Sequence, residues 1–242
     1  NIDLTKQAIE VAPIAHYHMG GIEVDSTMET KITGLFAAGE CVGGANGANR
    51  LSGNAIPEAF VFGDIAGQSA GSHKDVKRNF TPKDGEKMLS TTFDQLYEQP
   101  SNKSVASEMT SRKLLSKLQN IMWTQVGVLR NKEDLHDALL NIQEIQNDMF
   151  PKIQPSPGTT FNPSLMDWLD LRNSLLSAEA ICLAANGREE SRGAHQMEDI
   201  PTTIDSFVKN QIVSLSSGQL TTIWKPVQRI KLNLGERCQI KF

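Results

Sequence analysis

Residues 39–54 read Gly-Glu-Cys-Val-Gly-Gly-Ala-Asn-Gly-Ala-Asn-Arg-Leu-Ser-Gly-Asn, and this block constrains the fold of the 242-residue chain more than any other stretch. A segment so poor in side chains builds no core of its own and has to be held between elements that do. Upstream, Gly21–Asp25 and Gly34–Ala38 are short, glycine-bounded apolar segments of strand length, separated by polar residues. They predict a strand, a turn and a second, buried strand. Downstream, Ile56, Ala59, Phe60, Phe62, Ile65 and Ala66 recur at helical spacing, with Asn54 suited to the cap and Pro57 tolerable in the first turn. A helix is expected from Asn54 to about Ala70.

A backbone stripped bare between a strand end and a helix start lets a flat or phosphorylated ligand approach closely. The block is not a P-loop, because no Gly-Lys-Ser/Thr follows, and the GxGxxG dinucleotide fingerprint is absent. The plain alternative is a glycine-rich surface loop. Against it stands Arg50, which sits among small and amide side chains with few structural partners and is therefore available to an anion. The helix start after Asn54 adds free N–H groups and a positive dipole end. Facing a flavin, that end would stabilise negative charge on the N1–C2 carbonyl edge of the reduced ring. His16 and His18 would share one side of an extended segment, but no third ligand lies near and no metal is expected.

Composition shifts near residue 80, and a domain boundary is placed at 73–81. Lys74–Lys87 reads as a solvated linker. Beyond it come three helical stripes, carried by Leu114, Leu115, Leu118, Ile121, Met122, Gln125 and Val128, by Leu135, Ala138, Leu139, Ile142, Ile145 and Met149, and by Leu165, Trp168, Leu169, Arg172, Leu175, Leu176 and Leu183. They predict an antiparallel bundle. Trp123 and Trp168 are expected in its core. Pro151–Pro163 cannot continue a helix, and Gly187 is placed to end the third. Arg188–Asp199 reads as a solvated, ion-paired loop. A short helix near Thr203–Leu215 and a strand over Thr221–Leu232 complete the chain.

The net charge of −4 argues against a general nucleic-acid or anionic-membrane binder. Cys41, Cys182 and Cys238 are scattered and form no CxxC pair, which argues against a disulfide framework or a zinc or iron-sulfur site and fits a reducing compartment. No apolar run reaches membrane-spanning length, and the first residues resemble neither signal peptide nor anchor. The segment is expected to be soluble.

Three motifs then occur in order: His-Tyr-x-Met-Gly-Gly-Ile from His16, Gly-Leu-Phe-Ala-Ala-Gly-Glu-Cys from Gly34, and Asn-Gly-Ala-Asn-Arg-Leu-x-Gly-Asn from Asn46. Together they resemble the flavoprotein subunit of succinate dehydrogenases and fumarate reductases. A weaker likeness continues through Ile121–Arg130 and Arg188–His195. The resemblance implies an α/β plus all-α chain: the end of a Rossmann-like FAD-binding domain, then a three-helix bundle and a short C-terminal α/β tail. The implied divisions are 1–16 for the end of a capping domain, 17–80 for the FAD domain, 81–200 for the bundle and 201–242 for the tail.

The same resemblance implies FAD as cofactor, with interconversion of succinate and fumarate by hydride transfer to or from flavin N5. His16 and Arg50 match the residues that bind and polarise a substrate carboxylate. Gly39 and Glu40 match the turn and the acid that take the FAD chain, and Asn54, Ala55 and Ile56 match the helix start that meets the isoalloxazine. Two departures stand out: Ala55 replaces the usual serine, and Asn46 replaces a frequent histidine in a slightly short loop. The dinucleotide-binding half, the residue that carries FAD covalently in many members and the arginine that delivers the proton would precede Asn1, so the chain is expected to be part of a longer subunit and inactive alone. An iron-sulfur subunit is the implied partner, with a cytoplasmic location, on the membrane face only through partner subunits. Alternatives are an L-aspartate oxidase, which shares much of the pattern, and a non-catalytic helical module that docks an iron-sulfur subunit.

Overall fold

The computed structural model describes residues 2–11, 16–73, 81–97, 109–156 and 160–227. The chain divides into two units, residues 1–81 and 82–242, each taken here by itself.

In the first unit the expected strands occur only as single bridges. Ile22 pairs in parallel with Val42, Val24 antiparallel with Thr30, and Glu29 antiparallel with Phe36. Gly34–Ala38 is not buried: Leu35 keeps 49% of its surface exposed. A strand becomes a buried ladder only with neighbours on both sides, and the described residues supply one bridge at a time. The turn between them is built by Asp25, whose Oδ1 accepts from the Thr27 hydroxyl at 2.6 Å and from the amides of Thr27 and Glu29 at 2.8 and 3.1 Å. These hydrogen bonds, with Thr27 foremost, hold the Asp25 carboxyl below its usual range.

The Ile22–Val42 bridge draws two backbones together. The Ile22 amide donates to Cys41 O at 2.8 Å, and the Gly43 amide to Ile22 O at 3.0 Å. Gly21 sits at φ +144°, and a Cβ there would lie 2.4 Å from the Cys41 carbonyl oxygen. Gly21→Ala is therefore expected to lose at least about 1–3 kcal/mol of stability in denaturant unfolding. Gly67→Ala, in a helix interior where an added Cβ meets nothing within 4 Å, is the control and should instead gain about 0.5–1 kcal/mol.

A 3-10 turn, Gly39–Cys41, leads toward α1, Ala55–Ser72. Asn54 precedes the helix but does not cap it. Its own φ and ψ, −68° and −20°, are already helical, and its side chain takes no hydrogen bond from the first turn.

The second unit opens with α2, Pro82–Tyr97, so the segment read as a linker turns helical at Pro82, a residue favoured at a first helical position; residues 74–80 lie outside the described residues. The bundle follows as α3 (Ser111–Gln125), α4 (Lys132–Glu144) and α5 (Pro163–Gly187). Each has an N-cap bond: the amides of Lys113, Asp134 and Leu165 donate to the side-chain oxygens of Thr110, Asn131 and Asn162. The face that α5 buries differs from the expected stripe: it runs through Trp168, Leu171, Leu175, Ala178, Cys182 and Ala185, while Leu176 is exposed. The small residues Ala178, Cys182 and Ala185 let the helices approach, a signal that counting large apolar residues misses. Burial pushes the Cys182 thiol up to about 11. Trp168 is buried, with Nε1–H donating to Ile153 O at 3.1 Å, whereas Trp123, expected in the core, is 59% exposed.

The C-terminal tail is a β-hairpin rather than a helix followed by a strand. Only Asp205–Phe207 forms a 3-10 turn; β3 (Lys209–Ser216) and β4 (Gln219–Pro226) pair antiparallel, closing at Ser216–Gln219. The two turn residues, Ser217 and Gly218, both take positive φ, +49° and +79°, as a two-residue hairpin turn that matches strand twist requires. Residues 228–232 of the expected strand lie outside the described residues. A minimal parallel pair, β1 (Leu129–Arg130) with β2 (Gln196–Met197), joins the end of α3 to the loop after α5.

That loop is ion-paired as expected and exposed at Glu189, Gly193, Gln196, Glu198 and Asp199, but its centre is buried rather than solvated. Glu190 is fully buried, and Arg188 and Arg192 both donate to it at 2.6 to 3.0 Å. His195 lies beside this knot. Arg130 Nη1 approaches its Nδ1 at 2.9 Å, and an arginine can only donate, so Nδ1 accepts and Nε2–H donates to Arg188 O at 2.9 Å. Burial first, and then Arg130, pull the ring's pKa below its ordinary value. The unfolded chain therefore binds more protons in the window just below about pH 6.5, and stability falls as pH drops through it. His195→Gln is expected to flatten that limb in thermal unfolding between about pH 7.5 and 5. Among the described residues no helix is long and apolar enough to cross a membrane.

Candidate functional site

The bare loop, the helix start and the His16–Gly21 segment converge in the first unit. Glu40, in the 3-10 turn, accepts the His18 amide on Oε1 at 2.9 Å and so ties that segment to the loop. Gly39, at φ +77°, makes the turn possible. Glu58 in the first turn of α1 is 7% exposed; its Oε2 accepts the Tyr17 hydroxyl at 2.6 Å and Asn46 Nδ2 at 2.7 Å. The hydrogen bond to Glu58, with desolvation and the Glu58 charge, raises the Tyr17 pKa above its ordinary value. The guanidinium of Arg50 lies on the other part of the same ring system, its Cζ 4.4 Å from the Tyr17 centroid.

Arg50 is half-buried and holds no carboxylate among the described residues; Nη1 donates to Leu51 O at 3.3 Å, and Nε is buried without a partner. Glu58 Oε1 is likewise buried and unpartnered. His16 is exposed and, among the described residues, makes no hydrogen bond or ion pair. It touches neither Arg50 nor Glu40 but adjoins Tyr17, on whose ring Arg50 rests. The expected residues are thus linked through Tyr17 rather than directly.

At the helix start Asn54 leaves the first turn uncapped, and Pro57 has no N–H, so the amides of Ala55 and Ile56 are the available donors. An uncapped helix end beside side-chain-free backbone is a donor set that fits the carbonyl edge of a flavin. Ala55 brings no side-chain donor there, and its backbone N–H remains. Glu58 and the linking role of Tyr17 were missed in the sequence. The available signal was a lone acid in the first turn of an otherwise apolar helix.

Residues 115–239 match the family described as fumarate reductase flavoprotein C-term, and residues 2–56 match an FAD binding domain. An uncharacterized FAD-dependent oxidoreductase of Methanocaldococcus jannaschii is 34% identical over 212 residues, covering 88% of this chain and 37% of that protein. The flavoprotein subunit of the 8-methylmenaquinol:fumarate reductase of Wolinella succinogenes is 32% identical over 247 residues, 98% of this chain and 39% of its own length. A solved quinol fumarate reductase flavoprotein of Escherichia coli superposes with a TM-score of 0.83 at 29% identity, over 96% of this chain and 40% of that one. The chain thus spans about two-fifths of the length of these relatives. With an FAD-domain match at one end and the flavoprotein C-terminal match at the other, the chain belongs to the succinate dehydrogenase and fumarate reductase flavoprotein family, whose C-terminal portion it carries.

Proposed function

We propose that this chain is part of an FAD-dependent oxidoreductase that interconverts succinate and fumarate. The observation that carries the reading is Arg50: a half-buried guanidinium, held against an aromatic ring and left without a carboxylate, is a receptor for one. FAD, when bound, supplies hydride exchange between its N5 and the C2–C3 bond of the dicarboxylate. Arg50 and His16 grip and polarise a substrate carboxylate. Glu40 and Gly39 hold the FAD chain, while Asn54, Ala55 and Ile56 present backbone donors to the ring. On this reading residues 1–16 close a capping domain, 17–80 end the FAD domain, 81–200 form the bundle and 201–242 the tail. The bundle docks an iron-sulfur subunit, which keeps the protein cytoplasmic or on the cytoplasmic face of the membrane.

The test uses the full-length flavoprotein loaded with FAD. Fumarate with a reduced dye, or succinate with an oxidised one, is expected to turn over, and L-aspartate with oxygen to give no peroxide. Peroxide from L-aspartate without dicarboxylate turnover would replace this reading by that of an amino-acid oxidase.

A further inference from the structure

We infer that Tyr17, Glu58 and Asn46 form a positioning unit that seats Arg50 for a substrate carboxylate while keeping Arg50 unneutralised. The inference rests on the dicarboxylate reading above and deepens it.

Three observations carry it. First, Glu58 is a buried carboxylate that two donors fix through one oxygen, Tyr17 Oη at 2.6 Å and Asn46 Nδ2 at 2.7 Å, with Asn46 Nδ2 also 3.2 Å from Tyr17 Oη. A buried charge held this way is rigid, because freeing either donor leaves it under-solvated. Second, the ring so fixed carries Arg50 at 4.4 Å. Third, Glu58 makes no ion pair with Arg50. The phenol stands between them, and Arg50 Nε stays buried and unpartnered.

The chemistry follows from that order of groups. A direct carboxylate–guanidinium pair would satisfy Arg50 and compete with any anionic ligand. Interposing a phenol lets the Glu58 charge act through the ring, whose face becomes more electron-rich and holds the cation by a weaker, non-competing attraction. Asn46 contributes as a neutral donor. The cationic form of a histidine at that position would add positive charge beside Arg50, whereas an amide holds Glu58 without altering the charge of the pocket. Tyr17, Glu58 and Asn46 are thus positioning residues, and Arg50 is the group that meets the substrate.

The experiment is a double-mutant cycle in the full-length FAD-loaded flavoprotein, with dicarboxylate binding read from the change in flavin absorbance and turnover measured alongside. Tyr17→Phe keeps the ring and cuts its tie to Glu58. It is expected to weaken succinate or fumarate binding about tenfold and to raise KM accordingly, the factor associated with one hydrogen bond to a charged group. In an Arg50→Ala background the same change is expected to do nothing further. Glu58→Gln, isosteric and uncharged, is the second variant and should weaken binding in the same direction with FAD content unchanged. Equal losses with and without Arg50, or no loss in either variant while the parent protein turns over dicarboxylate, would overturn the positioning role and leave the proposed function standing. A parent protein that neither binds nor turns over dicarboxylates would overturn both.

Discussion

Replacing Arg50 by alanine in the full-length flavoprotein is expected to lower succinate and fumarate turnover by about a hundredfold to a thousandfold while FAD stays bound, a loss in the range found when a preorganised charge-stabilising donor is removed. The reason is separation of tasks within a short stretch of chain. The proposed flavin contacts come from backbone amides at Ala55 and Ile56 and from Glu40, and none of them involves the Arg50 side chain. Among the described residues Arg50 meets the Tyr17 ring and the Leu51 carbonyl and no ion-pair partner, so its removal leaves Glu58 with both of its donors. Stability should therefore move little, and an absorbance spectrum typical of bound flavin should persist. Arg50→Lys is expected to recover only a small part of the rate, because an ammonium lacks the planar fork that grips a carboxylate in two places. Turnover retained by Arg50→Ala would remove the assignment.

The second large effect is expected far from that chemistry. Glu190→Ala should destabilise the protein by about 3–5 kcal/mol, the range for breaking a buried charge network from one side. Glu190 is fully buried, and besides two arginines it accepts the Ile204 amide at 2.9 Å. Burial alone would raise its pKa; hydrogen bonds from Arg192, the Ile204 amide and Arg188 outweigh it and hold the carboxyl down to about 2. The direction fixes the pH dependence. The stabilisation is complete above the unfolded value of about 4.5, and it is lost progressively as pH falls from there toward about 2. Chemical denaturation across that window checks it. The parent protein should lose stability steeply, and Glu190→Gln should start lower and fall less.

Periodic elements were legible because burial writes itself into spacing. On α4 the residues Leu135, Ala138 and Ile142 of the expected stripe are buried, with Leu139 partly so. The face of α5 was misjudged because half of it is Ala178, Cys182 and Ala185, whose smallness rather than bulk makes them core. The tail was misassigned because the decisive residues, Ser217 and Gly218, specify a turn by backbone conformation rather than by hydropathy. At the candidate site, the order of the three motifs pointed to Arg50, His16, Glu40 and the helix start through the family resemblance, not through any one of them taken singly. What stayed hidden was how they are joined. Tyr17 and Glu58 lie 41 positions apart, and neither residue type announces a buried hydrogen bond. The reading of Arg188–Asp199 was half right for a related reason: the charges are ion-paired as expected, but alternating charges look solvated until a buried acid collects them.

Arg188 gives that knot a mechanical meaning. It stands at the end of α5, donates to the carbonyls of Phe207 at 3.0 Å and Lys209 at 2.8 Å, and lies 4.9 Å from the Trp224 ring. Both strands of the hairpin are thereby riveted at their base to α5, the longest helix among the described residues. A force applied to the tail would be carried as shear along α5 and shared with the bundle, instead of unzipping the hairpin one rung at a time.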